Sequence, residues 1–181
     1  MTSSYSDKSG SVEHAVNKAK DAIGGMAGKA SAGMTTNADD FVEKAAISDR
    51  YEIAAAQVAL ERSQAQPIRE VAQVMIDDHR TNTQRLEAAI SRSQKVAARD
   101  VPHGLDSRRA DMLEHLREAP ADKFDETYVD QQKLAHEEAV SLMRNYREDG
   151  DCPELRSFAE AASRVVEGHL DRMKQLSREY S

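Results

Sequence analysis

Three histidines and one glutamate stand where the surrounding pattern calls for an apolar residue: Glu52, His79, His136 and His169. Each interrupts a stripe of helical period, about 3.6 residues. Glu52 falls in the series Phe41, Ala45, Ser48, Glu52, Ala55, Ala59, and His79 in Ile68, Ala72, Met75, His79, Leu86, Ile90. His136 falls in Val129, Gln132, His136, Val140, Met143, and His169 in Ala162, Val166, His169, Met173, Leu176. A carboxylate on a core-facing stripe is costly unless it is paired, hydrogen-bonded or bound to metal. Imidazole and carboxylate groups converging from four helices form a donor set suited to a divalent metal. The expected ligands are Glu52, His79, His136 and His169, and the expected ion is Zn, Fe or Mn, with Cu and Ni also compatible.

These residues need elements that bring them level. The spacing predicts a first bundle helix from an N-cap at Asp39 to Arg62, and a second from Pro67 to about Val96. A two- or three-residue connector makes them antiparallel neighbours. A third helix is expected from an N-cap at Asp122 to about Arg147, and a fourth from Pro153 almost to the C-terminus, around a turn at Gly150. Glu52 and His79 are equidistant from the first turn. His136 and His169 are centred about two residues past the middle of the second, an offset of about 3 Å at 1.5 Å per residue. Each pair therefore lies near one height, half-way along its hairpin. Between the hairpins, Arg99 to Ala121 holds Pro102, Gly104 and Pro120, with one short helix suggested by Leu105, Met112, Leu113 and Leu116.

The chain thus reads as all-α, a ferritin-like four-helix bundle over residues 37–181 with a long helix-containing crossover between helices two and three. Residues 1–36 read as a flexible or weakly helical extension. Val12, Val16, Ala19, Ile23, Met26 and Ala30 recur at helical spacing, but Gly24, Gly25, Gly28 and Gly33 weaken a helix by roughly 1 kcal/mol each relative to Ala.

Composition agrees. Aromatic residues make up 4% of the 181-residue chain, so the core must be built from Ala, Val, Leu, Ile and Met, which suits close-packed helices. A net charge of -7 argues against a nucleic-acid partner, because phosphate neutralisation needs a basic face. The most basic stretch, Arg92 to Arg109, is broken by Asp100 and Asp106 and reads as a solvated linker. Cys152 is the only cysteine, so no intramolecular disulfide forms. Met1 to Asp21 has no apolar stretch of the secretory kind, and no run approaches the ~18 residues of a membrane span. The cytoplasm is the expected location.

Glu52-Ile53, Met75-Ile-Asp-Asp-His79, Phe124-Asp-Glu-Thr-Tyr128, Ala135-His136 and Gly168-His169-Leu170, in this order and spacing, resemble the bacterial family named domain of unknown function 4142. The resemblance covers roughly residues 38–177. It implies a ferritin-like bundle, an Asp-His pair on the second helix at His79, and single histidines on the third and fourth at His136 and His169. It also makes the periplasm the alternative location. The paired Glu-x-x-His motifs of di-iron ferritins are absent: Ile76, Lys133 and Val166 stand three residues before the histidines. No carboxylate set is present to bridge two irons.

Two functions follow from the sequence. The first is a metal-binding bundle with a single buried divalent ion and a possible stress or redox role. The second is a non-enzymatic scaffold whose N-terminal amphipathic segment docks on a protein partner, a second copy or a membrane surface. Of the other polar groups, Gln132 faces the same way as His136, and Asp78 points about 100° away from His79, as a surface or supporting group would.

Overall fold

The computed structural model describes residues 3–97 and 101–180. Met1, Thr2, Arg99, Asp100 and Ser181, all inside segments considered above, lie outside them. The described residues form six α-helices: α1 (Ser3–Ala32), α2 (Ala38–Arg62), α3 (Gln66–Arg92), α4 (Ser107–Glu118), α5 (Phe124–Asp149) and α6 (Pro153–Glu179), with a 3-10 turn at Ala121–Lys123. No strand occurs among them.

Two tight hairpins, α2–α3 and α5–α6, form the bundle. They dock side by side, with α2 against α5 and α3 against α6, so the cyclic order is α2, α3, α6, α5. The crossover between the hairpins carries α4, which lies against α2. An all-helical bundle with a helix-containing crossover is therefore the architecture.

Local chemistry sets the ends. Asn37, not Asp39, caps α2: its extended backbone lets its side-chain oxygen accept from the Asp39 and Asp40 amides at 2.9 and 3.2 Å. Asp39 and Asp40 occupy the first turn, where negative charge suits the helix dipole. Asp122 likewise does not cap α5. It lies in the 3-10 turn, whose tighter winding leads the chain directly into Phe124. Asp106 caps α4, accepting from the Arg109 amide at 2.7 Å. Arg62, in the last turn of α2, donates to the carbonyls of Leu116, Arg117 and Ala119 at 3.0, 2.7 and 2.8 Å. One side chain so satisfies the open carbonyls at the end of α4 and fixes that helix to the bundle.

Of the two readings of the N-terminal segment, flexible or weakly helical, the helical one describes Ser3–Ala32. It is one continuous helix laid against α5 and α4. Its glycines have a tertiary purpose. A Cβ on Gly25 would stand 3.1 Å from Leu134 Cδ2, and one on Gly28 would stand 2.7 Å from the Glu138 carboxyl carbon. Without those Cβ atoms, α1 approaches α5 closely enough to bury Asp21. The Asp21 carboxylate accepts from His115 Nδ1 at 2.7 Å and from Gln131 Nε2 at 2.6 Å. Close approach offsets the local loss of helix propensity, which sequence periodicity alone counts as a penalty. The outward side of α1 keeps Val12, Val16, Ile23 and Met26 exposed.

The core falls into two apolar clusters. One gathers Phe41, Val42, Leu86, Ile90, Met143, Tyr146, Leu155 and Val166, with Phe41 stacked on Tyr146 at 3.9 Å between ring centroids. The other gathers Tyr51, Ile68, Met75, Met112, Leu116, Tyr128, Met173 and Leu176. A polar belt at mid-height divides them.

Two glycines make a test of this packing. Gly168 is exposed on α6 with nothing within 4 Å of a built Cβ, so Gly168→Ala should stabilise the fold by roughly 0.5–1 kcal/mol. Gly28→Ala should fail to stabilise, because its methyl group meets Glu138, which Arg108 and Arg109 hold in place. Urea denaturation of the two variants measures the difference, and equal stabilisation by both would show that α1 does not pack as described.

Candidate metal centre

The polar belt holds all four residues picked out by the stripes. Glu52 on α2, His79 on α3, His136 on α5 and His169 on α6 are each buried, with exposures of 1%, 2%, 0% and 8%. The three imidazoles form a triangle, with ring centroids 5.7, 5.5 and 5.3 Å apart. One nitrogen from each histidine lies within 4.8 Å of the other two.

Each ring is anchored by its other nitrogen. His79 Nδ1 lies 2.8 Å from Asp49 Oδ1. His136 Nδ1 lies 2.8 Å from the Gln132 carbonyl oxygen. His169 Nε2 lies 2.9 Å from Asp78 Oδ2. A carbonyl or carboxylate oxygen can only accept, so each anchoring nitrogen carries the proton. The tautomers follow: His79 Nε2, His136 Nε2 and His169 Nδ1 bear the lone pairs. His79 Nε2 is buried with no hydrogen-bond partner. His136 Nε2 faces His169 Nδ1 at 3.4 Å, lone pair toward lone pair. Two bonds of 2.0–2.1 Å at a tetrahedral angle set two nitrogens roughly 3.3 Å apart, so this pair is already at metal-binding separation. Anchoring a ligand imidazole through its second nitrogen is the usual means of fixing its tautomer and orientation.

Asp49 is the residue that stripe reading misses. It is buried, and its carboxylate also accepts from Asn82 Nδ2 at 3.0 Å and from the Thr83 hydroxyl at 3.2 Å. Its signal was its place about one turn before Glu52, Asp49-x-x-Glu52. Asp78, half-exposed, turns to meet His169 across the α3–α6 contact.

Glu52 stands beside the triangle. Its Oε1 is 3.6 Å from His136 Nδ1, the anchored side of that ring, and neither carboxylate oxygen has a hydrogen-bond partner. The Gln132 amide is near enough to favour the ionised form, but the two do not reach hydrogen-bond geometry. Burial raises the Glu52 pKa, opposed by His79 and Arg109.

Electrostatics separate the histidines. Burial, aided by His79, lowers His136 to about 3. Burial, aided by His136, lowers His169 to about 4. For His79, burial lowers the pKa, but the Asp49 hydrogen bond and charge, with Glu52 and Asp78, outweigh it and leave a net rise. His136 and His169 are thus neutral imidazoles at neutral pH.

The family model described as "Domain of unknown function (DUF4142)" matches residues 24–176. The chain belongs to the DUF4142 family. The match begins inside α1, fourteen residues ahead of the resemblance visible from motifs alone. No curated protein matches the chain. Among solved structures, "CopM in the Cu(II)-bound form" is similar at 21% identity and a TM-score of 0.67, over 82% of this chain and 100% of that one. At that identity the likeness concerns the helical bundle fold. No helix among the described residues of this DUF4142 member is long and apolar enough to cross a membrane.

The lowered histidines predict the acid response of the metal-free protein. The unfolded chain protonates them near 6.5, the folded one only near 4 and 3. Below about pH 6.5 the unfolded state binds more protons, so their contribution to stability falls as pH drops toward 4 and then 3. By about pH 5 the loss is at most about 2 kcal/mol per histidine. The raised His79 and Glu52 act in the opposite sense and moderate the slope. Thermal melts from pH 7 to 4 in chelator should show this decline, with a shallower one in His136→Gln. An identical slope in that variant would mean that His136 is not held neutral.

Proposed function

We propose that this DUF4142 member is a metal-binding protein that holds one divalent transition-metal ion through His79 Nε2, His136 Nε2 and His169 Nδ1. Glu52 is the fourth residue of the centre and its buried anion. What supports the reading is the trio of buried imidazoles with one nitrogen from each within 4.8 Å of the others, every ring having one nitrogen tied down. Three imidazoles pointed at one another, two of them held neutral, gain nothing from that arrangement without a metal cation between them. A buried carboxylate with no donor is costly in the same way. An ion at the three nitrogens relieves the first, and its positive charge offsets the second without supplying the missing hydrogen bonds.

The donor set orders the candidates. Imidazole nitrogen suits Cu(II), Zn(II) and Fe(II) better than Mn(II), whose ligands are mostly oxygen. The Cu(II)-bound form of the structurally similar CopM supports placing copper beside zinc at the head of that order. The lack of a bridging carboxylate pair favours a mononuclear centre over an iron store. The metal would supply Lewis acidity, or redox chemistry if it is copper or iron. The chain supplies a rigid, dehydrated set of ligands, with Asp49, Asp78 and the Gln132 carbonyl holding the rings.

Elemental analysis after loading with Cu(II), Zn(II), Fe(II) and Mn(II) in turn should find one ion per chain, held most firmly for copper or zinc. Metal at a hundred times its dissociation constant should stabilise the fold by about 2.7 kcal/mol. Replacing His79, His136 or His169 by Ala should lower metal content and remove that stabilisation together. Unmodified protein that retains none of the four ions would end the metal reading.

A further inference from the structure

Among the described residues, seven buried side-chain nitrogen and oxygen atoms have no hydrogen-bond partner. Six belong to four residues of the belt: both oxygens of Glu52, both amide atoms of Gln132, the Tyr128 hydroxyl and His79 Nε2. A metal at the three histidines accounts for His79 alone. The other five remain. Glu52, Gln132 and Tyr128 are at most 1% exposed, so solvent at the surface cannot satisfy them. They also adjoin one another. Tyr128, Gln132 and His136 succeed each other at four-residue intervals along one face of α5. Glu52 is 3.6 Å from His136. Its charge acts on the Tyr128 phenol and on His79, and the Gln132 amide acts back on it.

Such a group has complementary chemistry. The Glu52 carboxylate only accepts, the Tyr128 hydroxyl donates and accepts, and the Gln132 amide donates through nitrogen and accepts through oxygen. A water molecule placed among them gives its protons to the carboxylate and takes one from the amide or phenol. A polar site with two to four such partners is where proteins hold internal water. Glu52 itself lies on the anchored side of His136, away from the nitrogen that faces His169. From there Glu52 does not occupy a place on the metal itself, and it reaches the centre only through a bridging molecule.

Resting on the three-histidine reading, we propose that Glu52, Gln132 and Tyr128 form a second binding position for one small oxygen ligand, water or hydroxide, which completes the coordination of the metal. The centre is then open and exchangeable, unlike a site closed by four protein ligands. Glu52 accepts a hydrogen bond from that ligand, and Gln132 and Tyr128 orient it. The position accepts other triatomic-sized ligands in place of water.

Protein loaded with Co(II), whose visible spectrum reports its ligands, is titrated with azide as the probe. Unmodified protein should bind one Co(II) per chain, and azide should change its spectrum to saturation. Gln132→Leu at saturating cobalt should keep one ion per chain and bind azide roughly tenfold more weakly, as loss of a supporting hydrogen bond does at metal sites. Glu52→Gln should keep the ion and bind azide more tightly, because the buried negative charge that opposes the anion is gone. Opposite shifts in two neighbouring variants are not expected of a general loosening of the core. If unmodified protein binds Co(II) but its spectrum ignores azide, and Glu52→Gln gains the response, Glu52 is itself a ligand and the open position does not exist. An azide-insensitive spectrum in all three proteins overturns the proposal as well. If Co(II) does not bind at all, the three-histidine reading fails and this one with it.

Discussion

Every helix of the bundle carries a polar or ionisable side chain to the same height in the core, and the structure is organised around making that burial tolerable. An unpaired imidazole or carboxylate inside a protein loses the water that would have solvated it. Here Asp49 supports His79, the Gln132 carbonyl supports His136 and Asp78 supports His169. Asn82 and Thr83 then support Asp49. These bonds join α2 to α3 and α3 to α6, so the register between helices is set by hydrogen bonds of fixed geometry as well as by apolar contacts that could slip.

The two apolar clusters follow from the same belt. Above and below it the stripes are mainly Ala, Leu, Ile, Met and a few aromatics, and they close chiefly on apolar contacts. Small residues on α2, chiefly Ala45, Ala55, Ala56 and Ala59, let the hairpin partners come close. That closeness keeps bulk solvent away from the belt, and burial is what drives His136 and His169 to the neutral form.

The outer layer is tied to the centre through α2. Asp21 on α1 holds Gln131, and Gln131 accepts from the Tyr51 hydroxyl at 3.0 Å. Tyr51 is the neighbour of Glu52, and the buried Arg109 guanidinium lies 4.8 Å from its ring centroid. Arg109 also favours the ionised form of Glu52. The crossover and the N-terminal helix so contribute charge and rigidity to a site that contains none of their own residues.

The sequence by itself determined the helices, the hairpin symmetry and the inward address of Glu52, His79, His136 and His169. These depend on periodicity and on distance from a turn, which are local quantities. It did not disclose Asp49, because a reading that takes one residue per turn passes over a neighbour on the edge of the stripe. Nor could it pair Asp78 with His169, whose contact spans two helices far apart in the chain. It counted the glycines of α1 against a helix, since propensity measures the isolated segment and not the neighbour that needs the space. Tertiary structure decided which nitrogen of His79 and of His169 is tied, because that choice belongs to the acceptor across the helix interface, while His136 is tied to the Gln132 carbonyl of its own helix. It also decided that Glu52 stands on the anchored side of His136, since a side chain's direction within the core is fixed only when its neighbours have filled the space around it.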